Sequence, residues 1–128
     1  MNLLLDTHVL LWAAAMPERL SASARTMLDA PEHTLLFSTA SIWEVAIKSG
    51  LGRDDFEADA GLLRRGLLDN GYEELAITST HAIATSDLPP IHRDPFDRVL
   101  IAQARVEGAL LLTADEAIAG YPGSIQKI

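Results

Sequence analysis

The apolar residues of this chain fall into short runs, and segments with helical spacing separate these runs. Apolar runs typical of buried strands occupy residues 2–5, 34–38, 73–78, 109–113 and 124–128. Helical patterns bounded by Ser, Pro or Gly predict helices over 7–15, 21–30, 40–50, 55–69, 79–87, 95–107 and 115–120. Strands that alternate with helices are typical of a parallel sheet covered on both faces. We therefore predict an α/β fold, a three-layer α/β/α domain with a central, mainly parallel sheet.

The length and composition favour one folded domain over residues 1–128. The hydrophobic fraction of 48% and the charged fraction of 22% are typical of globular proteins. No apolar run approaches the roughly 18–20 residues of a membrane span, and the N-terminus lacks a basic signal-peptide region. A cytoplasmic location is compatible with these features. The chain has no cysteine, which excludes disulfides, thiolate metal sites and a cysteine nucleophile.

The formal net charge of −8 argues against a protein that coats nucleic acid, because such proteins present positive charge. A nuclease that concentrates its acids in a metal site is compatible with this charge. For such an enzyme we expect weak, local and metal-dependent binding of RNA. A negative chain would also suit a basic protein partner.

Two aspartates follow predicted strands at the edge where α/β proteins bind ligands. Asp6 comes directly after the strand at 2–5, and Asp115 lies one residue beyond the strand at 109–113. Ligands of open parallel sheets bind outside the carboxyl ends of the strands. Aspartate is also a favoured helix N-cap, so capping explains either residue equally well at this point.

Glu44 lies in a predicted helix whose other residues are mostly apolar. An ion pair with Lys48, four residues later, is one explanation for it and would contribute about 0.2–0.5 kcal/mol on a helix surface. Burial of a glutamate among apolar neighbours is costly unless something compensates its charge. A bound cation is one such compensation.

The stretch "HRDPFDRVLIAQA" at 92–104 carries two aspartates three residues apart. Pro95 fits the first position of a helix, which makes Asp94 its N-cap. Helical spacing places Asp97 on the same face as Leu100, Ile101 and Ala104, the face expected to meet the core. Arg98 should instead lie nearer solvent, with Ala102 and Arg105.

The sequence contains no motif of a phosphate-binding loop, a histidine metal site or a catalytic serine triad. The Gly-rich phosphate-binding sequences of P-loop and dinucleotide-binding proteins are absent. The histidines show no metal-ligand spacing, so we expect them on the surface or in loops, with His92 near the site as a minor possibility. Ser38 and Ser41 lack evident His–Asp partners and are expected in turns and caps. The histidines are His8, His33, His81 and His92.

Four segments together resemble the PIN-domain nucleases, and most closely the VapC-like toxins of bacterial toxin–antitoxin modules. They are "LLLDTHVLLW" at 3–12, "SIWEVAIKSGLG" at 41–52, "HRDPFDRVLIAQA" at 92–104 and "LLLTAD" at 110–115. No single segment is specific, but all four in this order span nearly the whole chain. The resemblance implies that Asp6, Glu44, Asp97 and Asp115 gather at one catalytic site and hold Mg²⁺ or Mn²⁺.

The resemblance also suggests roles for these acids and their neighbours. Asp6, Asp97 and Asp115 would bind the metal, whereas Glu44 would bind it through water or orient the attacking water. Asp94 lies beside the four acids without matching a core position of the family. Thr7 and Thr113 adjoin two of the acids and are expected either to hydrogen-bond to metal ligands or to serve as plain turn hydroxyls. The cations expected to contact substrate phosphates are Lys48, Arg93 and Arg98, and for Arg98 an ion pair with nearby acids is an equal alternative.

By this resemblance the protein is expected to be a metal-dependent endoribonuclease that acts as a toxin. Its partners would be RNA, a cognate antitoxin and a second copy of itself in a homodimer, with no membrane. Trp12, Trp43 and the helix at 55–69 offer candidate partner surface, although we expect both tryptophans in the core. The alternatives are a PIN-fold nuclease that processes RNA or cleaves DNA outside a toxin module, and a non-catalytic PIN-fold interaction protein.

Overall fold

A computed structural model describes residues 1–52 and 58–128, and a five-stranded parallel sheet lies at its centre. The strands are β1 Asn2–Leu5, β2 Thr34–Ser38, β3 Glu73–Leu75, β4 Leu110–Thr113 and β5 Ile125–Lys127. Their order across the sheet is β3-β2-β1-β4-β5, and every neighbouring pair is parallel. The predicted parallel sheet is therefore confirmed, with the first strand in the middle.

Seven α-helices occur within the described residues. They are α1 Thr7–Ala15, α2 Ala22–Asp29, α3 Thr39–Gly50, α4 Ala60–Asp69, α5 Ser79–Ala84, α6 Pro95–Glu107 and α7 Glu116–Ala119. Short 3₁₀ helices follow α1 at Pro17–Arg19 and α5 at Thr85–Asp87. Each helix lies where the apolar spacing predicted one, with small differences in its ends.

The predicted helix over 55–69 is too long at its start. Helix α4 begins at Ala60, where the side chain of Asp59 caps it by accepting a hydrogen bond from the Leu62 amide at 2.9 Å. Residues 55–57 of the prediction lie outside the described residues. The predicted strand over 73–78 is also shortened, because β3 ends at Leu75 and Thr78 already caps α5.

Helices cover both faces of the sheet, as the alternating side chains of β1 require. Leu3 and Leu5 pack into one apolar cluster with residues of α1, α2 and α4, such as Leu67. Leu4 points into a second cluster with Leu100 of α6 and Ile118 of α7. Because successive side chains of a strand point to opposite faces, the two clusters form the two interfaces of a three-layer α/β/α fold.

The predicted core face of α6 is confirmed. Leu100, Ile101 and Ala104 are all buried in the second cluster. The predicted solvent face of α6 is correct only in part: Arg105 is exposed and Arg98 is partly exposed, but Ala102 is fully buried. Helix α6 is thus enclosed on more sides than its sequence pattern indicates, because the α5 region packs against it as well.

Two further predictions from the sequence were wrong. Trp43 is 60% exposed and contacts Phe96 edge to face, with 5.2 Å between ring centroids, instead of packing in the core. His81 is buried, because its ring accepts a hydrogen bond from the Thr78 amide and lies 2.8 Å from Glu107. Trp12, by contrast, packs partly buried against the first apolar cluster.

None of the helices described in 1–52 and 58–128 is long and apolar enough to cross a membrane.

Candidate active site

The four acids selected from the sequence line one small cavity of about 140 Å³ at the carboxyl edge of the sheet. Asp6 follows β1, Glu44 lies in the helix that follows β2, and Asp115 follows β4. Asp97 reaches the cavity from the first turn of α6. The full lining is Asp6, Thr7, His8, Glu44, Lys48, His92, Asp94, Asp97, Asp115 and Ile118.

Asp6 is both a helix cap and a buried acid of the cavity. Its Oδ1 accepts a hydrogen bond from the Val9 amide at 2.9 Å, and its Oδ2 accepts one from the Thr113 hydroxyl at 2.5 Å. The residue is only 3% exposed, and this burial raises the pKa of its carboxyl group. The hydrogen bonds from Thr113 and Val9 oppose that rise by stabilising the ionised form. Capping and a place in the cavity are therefore compatible.

Glu44 is also 3% exposed and uses both of its oxygens. Oε1 accepts a hydrogen bond from the Thr7 hydroxyl at 2.6 Å, and Oε2 accepts one from Nζ of Lys48 at 2.5 Å. The Thr7 hydroxyl also lies 3.0 Å from the hydroxyl of Ser41, which is buried. The ion pair considered from the sequence is therefore present, and it holds a buried glutamate at the cavity wall.

Asp97 contacts His92, which the sequence analysis treated as a minor possibility near the site. Its Oδ2 lies 2.6 Å from Nε2 of His92, and an ionised carboxylate at this distance accepts a hydrogen bond from the ring N–H. Burial, and next the negative charge of Asp94, raise the pKa of Asp97 to about 6, although the hydrogen bond from His92 opposes the shift. A carboxyl group with this pKa holds its proton more readily than an exposed aspartate, so it needs positive charge nearby to stay fully ionised at neutral pH.

Asp94 caps α6 and faces the cavity at the same time. Its Oδ1 accepts a hydrogen bond from the Phe96 amide at 2.9 Å, as predicted for an N-cap. Its Oδ2 lies 4.0 Å from Nζ of Lys48, across the cavity wall from α3. The sequence assigned Asp94 to capping and Asp97 to the site, but both carboxyl groups line the cavity.

Asp115 is the most open of the four acids and is tied to Asp6 through one threonine. It caps α7, because its Oδ1 accepts a hydrogen bond from the Ala117 amide at 2.7 Å. Its own amide donates to the Thr113 hydroxyl at 3.0 Å, and the same hydroxyl donates to Asp6. Thr113 therefore fixes the spacing between the acids that follow β1 and β4.

A compact group of possible metal ligands lies at one side of the cavity. One ligand atom each from His92, Asp94 and Asp97 lies within 4.8 Å of the other two. His92 was underrated because no spacing rule connects it with the acids. Its position two residues before the cap of α6 is the signal that could have found it, since the turn into the helix brings its ring back over Asp97.

Two of the cations predicted to contact substrate do not line the cavity. Arg93 is exposed and absent from the lining, whereas Lys48 belongs to it. The guanidinium group of Arg98 donates to four backbone carbonyls in the loop before α6 and to the hydroxyl of Tyr121. These bonds engage Arg98 within the fold, outside the lining of the cavity, and do not favour the phosphate contact predicted for this residue.

The charge balance of the cavity fits a divalent cation. Five carboxyl groups line it, and Lys48 is the one lysine or arginine in that lining. Hard divalent cations take oxygen ligands, and Mg²⁺ is usually held by one or two carboxylates together with waters. Burial first, and neighbouring carboxylates to a lesser degree, raise the pKa of Asp6 and of Asp97, and a bound cation would offset both effects. The donor set therefore suits a hard divalent cation.

Comparisons with known proteins identify a family and similar folds. A family model described as "PIN domain" matches residues 3–123. Curated protein sequences give no match. The fold is similar to that of VapBC2 from Rickettsia felis bound to a DNA fragment from its promoter, with a TM-score of 0.74 and 14% identity, over 100% of this chain and 99% of that chain.

Two other solved structures show the same likeness. VapBC-1 from nontypeable Haemophilus influenzae gives a TM-score of 0.66 at 18% identity, over 99% of this chain and 98% of that chain. DNA-bound VapBC from Salmonella typhimurium gives 0.67 at 16% identity, with the same coverage of both chains. At these identities the likeness shows the fold alone.

Proposed function

Because the chain belongs to the PIN domain family, we propose that it is a metal-dependent endoribonuclease that hydrolyses RNA phosphodiester bonds, and that residues 1–128 form its single catalytic domain. The observation that carries this proposal is the cavity with five carboxyl groups and one lysine at the carboxyl edge of the sheet. That charge pattern suits a divalent cation and, through it, a phosphate group.

The metal would be held by Asp6, Asp97 and Asp115. When bound, Mg²⁺ or Mn²⁺ supplies positive charge that activates a water molecule and offsets the charge that develops on the attacked phosphate. Thr113 holds Asp6 and the backbone of Asp115 in place, which limits the freedom lost when these acids converge on a cation.

Glu44 would orient the attacking water or reach the metal through a water molecule. Thr7 fixes one of its oxygens, and Lys48 fixes the other. The ammonium group of Lys48 is the cation of the cavity wall and lies between Glu44 and Asp94. It is therefore the residue best placed to contact a substrate phosphate. Asp94 adds negative charge beside Asp97 and strengthens attraction of the cation.

We further propose that this nuclease is the toxin of a toxin–antitoxin module. The structural likeness to three VapBC proteins over nearly the whole chain supports this assignment. The resemblance of its sequence to VapC-like toxins points to the same role, with a cognate antitoxin as inhibitor and a homodimer as the working assembly.

An exposed apolar stripe on α3 and its C-cap residue Leu51 supports a protein partner next to the cavity. Trp43, Ile47 and Leu51 are spaced four residues apart and are all exposed. Trp43 contacts Phe96, which stands between the two cavity aspartates of α6. A contiguous apolar patch of this kind commonly marks a contact surface. An antitoxin segment seated there would lie at the rim of the cavity and block access of RNA.

The test is cleavage by the purified protein. RNA and DNA oligonucleotides of the same mixed sequence are incubated with Mg²⁺, with Mn²⁺ and with a chelator. We expect cleavage of RNA that requires the metal and is lost in Asp97→Asn but kept in the exposed control Asp87→Asn. Equal cleavage in chelator, or full activity of Asp97→Asn, would contradict the proposal, and cleavage of DNA alone would move the protein to the alternative nuclease class.

The toxin role has a separate test in cells. Expression of the chain should arrest growth, and co-expression of the adjacent open reading frame should restore it. Absence of arrest with an active enzyme would remove the toxin assignment and leave the nuclease proposal in place.

A further inference from the structure

The loop that precedes α6 is clamped by one arginine. Arg98 donates through Nη1 to the carbonyls of Pro89 at 3.0 Å and His92 at 3.3 Å. It donates through Nη2 to the carbonyls of Thr85 at 3.0 Å and Leu88 at 3.3 Å. A guanidinium group presents its donors in one rigid plane, so these bonds fix four points of the loop relative to the first turn of α6.

A buried tyrosine completes the clamp at His92. Tyr121 is 4% exposed, and its hydroxyl accepts a hydrogen bond from the His92 amide at 2.7 Å. The same hydroxyl lies 3.1 Å from the His92 carbonyl and accepts a hydrogen bond from Nη1 of Arg98 at 3.1 Å. Both backbone groups of His92 are therefore held by one side chain, which comes from the segment after α7.

The side chain of His92 extends from this clamp to Asp97. Its Nε2 lies 2.6 Å from Oδ2, and both side chains are partly shielded from solvent. A loop clamp alone would explain the bonds of Arg98. It would not require that His92, whose N–H and C=O both contact the Tyr121 hydroxyl, should place its ring on a carboxylate of the cavity.

We infer that Arg98 and Tyr121 are positioning residues of the site, which act through His92 to fix the orientation of the Asp97 carboxylate. This inference rests on the proposed function, because it assigns Asp97 to the metal. A carboxylate with one oxygen already held has less rotational freedom to lose when the cation binds. Partners of metal ligands contribute about 10–100-fold in metal affinity or activity in other proteins, so an effect of this size is expected here.

The first test measures, in metal-free protein, whether the Tyr121 hydroxyl holds the ring of His92 in place. Tyr121→Phe removes only the hydroxyl, and Tyr72→Phe, at the other tyrosine of the chain, is its matched control. The ¹⁵N resonance of His92 Nε2 in the metal-free protein reports whether this nitrogen keeps its hydrogen-bonded proton. We expect it to move in Tyr121→Phe and to stay unchanged in Tyr72→Phe. An unchanged resonance in Tyr121→Phe would overturn the inference.

The second test measures how changes at His92 and Tyr121 alter the affinity of the protein for Mn²⁺. His92→Gln keeps an N–H donor of similar reach, whereas His92→Leu removes it. The dissociation constant of Mn²⁺, measured from the electron paramagnetic resonance signal of the free ion, should rise about 10–100-fold in His92→Leu. It should rise no more than about threefold in His92→Gln and about 3–10-fold in Tyr121→Phe. Equal affinities for all variants and wild type would overturn the inference.

The same samples separate a positioning role from direct ligation. If His92 bound the cation itself, pulsed measurements on bound Mn²⁺ would show a ¹⁴N coupling that disappears in His92→Leu, and this result would also overturn the inference. If the wild-type protein bound no Mn²⁺, the proposed metal-dependent function would fail, while the ¹⁵N measurement would still decide whether the clamp holds His92 on Asp97. Unfolding curves of each variant show that the fold is intact.

Discussion

Thr113 donates a hydrogen bond to Asp6 across 107 positions of sequence, and this bond joins the ends of two neighbouring strands at the proposed metal site. Thr113→Val keeps the shape of the side chain but leaves a buried carboxylate oxygen without its donor. We expect the free energy of unfolding to fall by about 1–3 kcal/mol and Mn²⁺ binding to weaken about tenfold. Urea unfolding and Mn²⁺ titration measure the two effects.

The matched control for this change is Thr26→Val, which removes an exposed hydroxyl on α2. Loss of stability without loss of Mn²⁺ affinity in Thr113→Val would mean that Thr113 supports the fold alone.

Replacement of Asp97 by Asn should stabilise the metal-free protein at neutral pH. The pKa of Asp97 is raised to about 6 in the folded protein, against about 3.9 in unfolded chains. The folded state therefore holds the proton more tightly, and stability falls as the pH rises through the window from about 4 to 6. Asp97→Asn avoids this loss, so its free energy of unfolding at pH 7 should exceed that of the wild type by roughly 1–2 kcal/mol. This range allows for solvent screening at a site that is only partly buried.

The gain should shrink as the pH falls through about 4 and vanish near about pH 3, where Asp97 is protonated in both states. Urea unfolding in chelator at several pH values measures it, and Asp87→Asn controls for the loss of one exposed charge. A gain of the same size at pH 4 would show that the pKa of Asp97 is not its cause.

Lys48 should be needed for stability because Glu44 is buried. Lys48→Met leaves the glutamate without its ammonium partner and should cost about 1–3 kcal/mol in metal-free protein. In a Glu44→Gln background, where the negative charge is already gone, Lys48→Met should lower the free energy of unfolding much less. A double-mutant cycle measured by urea unfolding gives the difference. Additive effects would argue that the 2.5 Å ion pair contributes nothing to stability.

We expect the proposed antitoxin to cover the exposed stripe of α3 and Leu51. Leu51→Ser removes apolar area at its most exposed position without a change in charge. We expect this variant to keep its cleavage activity and to need more of the cognate protein for inhibition. Ile83→Ser, at an exposed isoleucine of α5, is the control. Equal inhibition of both variants would place the partner elsewhere.

Most of the fold follows from local patterns in the sequence. The Leu-rich runs of β1 and β4 have the continuous apolar character of strands buried on both faces, and Ser21 and Asp94 cap helices where the sequence predicted. These features depend on neighbours in sequence, so pattern and spacing are sufficient to find them.

The errors concern contacts between residues that are distant in the chain. Trp43 is apolar enough for a core, but both apolar clusters of the sheet are filled without it. Arg98 resembles a free surface cation in sequence, because nothing local shows that the carbonyls of residues 85–92 turn towards it. His92 gains its place from Tyr121, which lies 29 positions away. Spacing rules do not carry information of this kind.

The position of β1 between β2 and β4 has a consequence for the timing of synthesis. Asp6 is synthesised more than a hundred residues before its neighbours Thr113 and Asp115. The cavity cannot close around a cation until β4 has joined the sheet. A nascent chain that ends before residue 115 therefore lacks one wall of the site, so the proposed nuclease would stay inactive until its last wall has been synthesised.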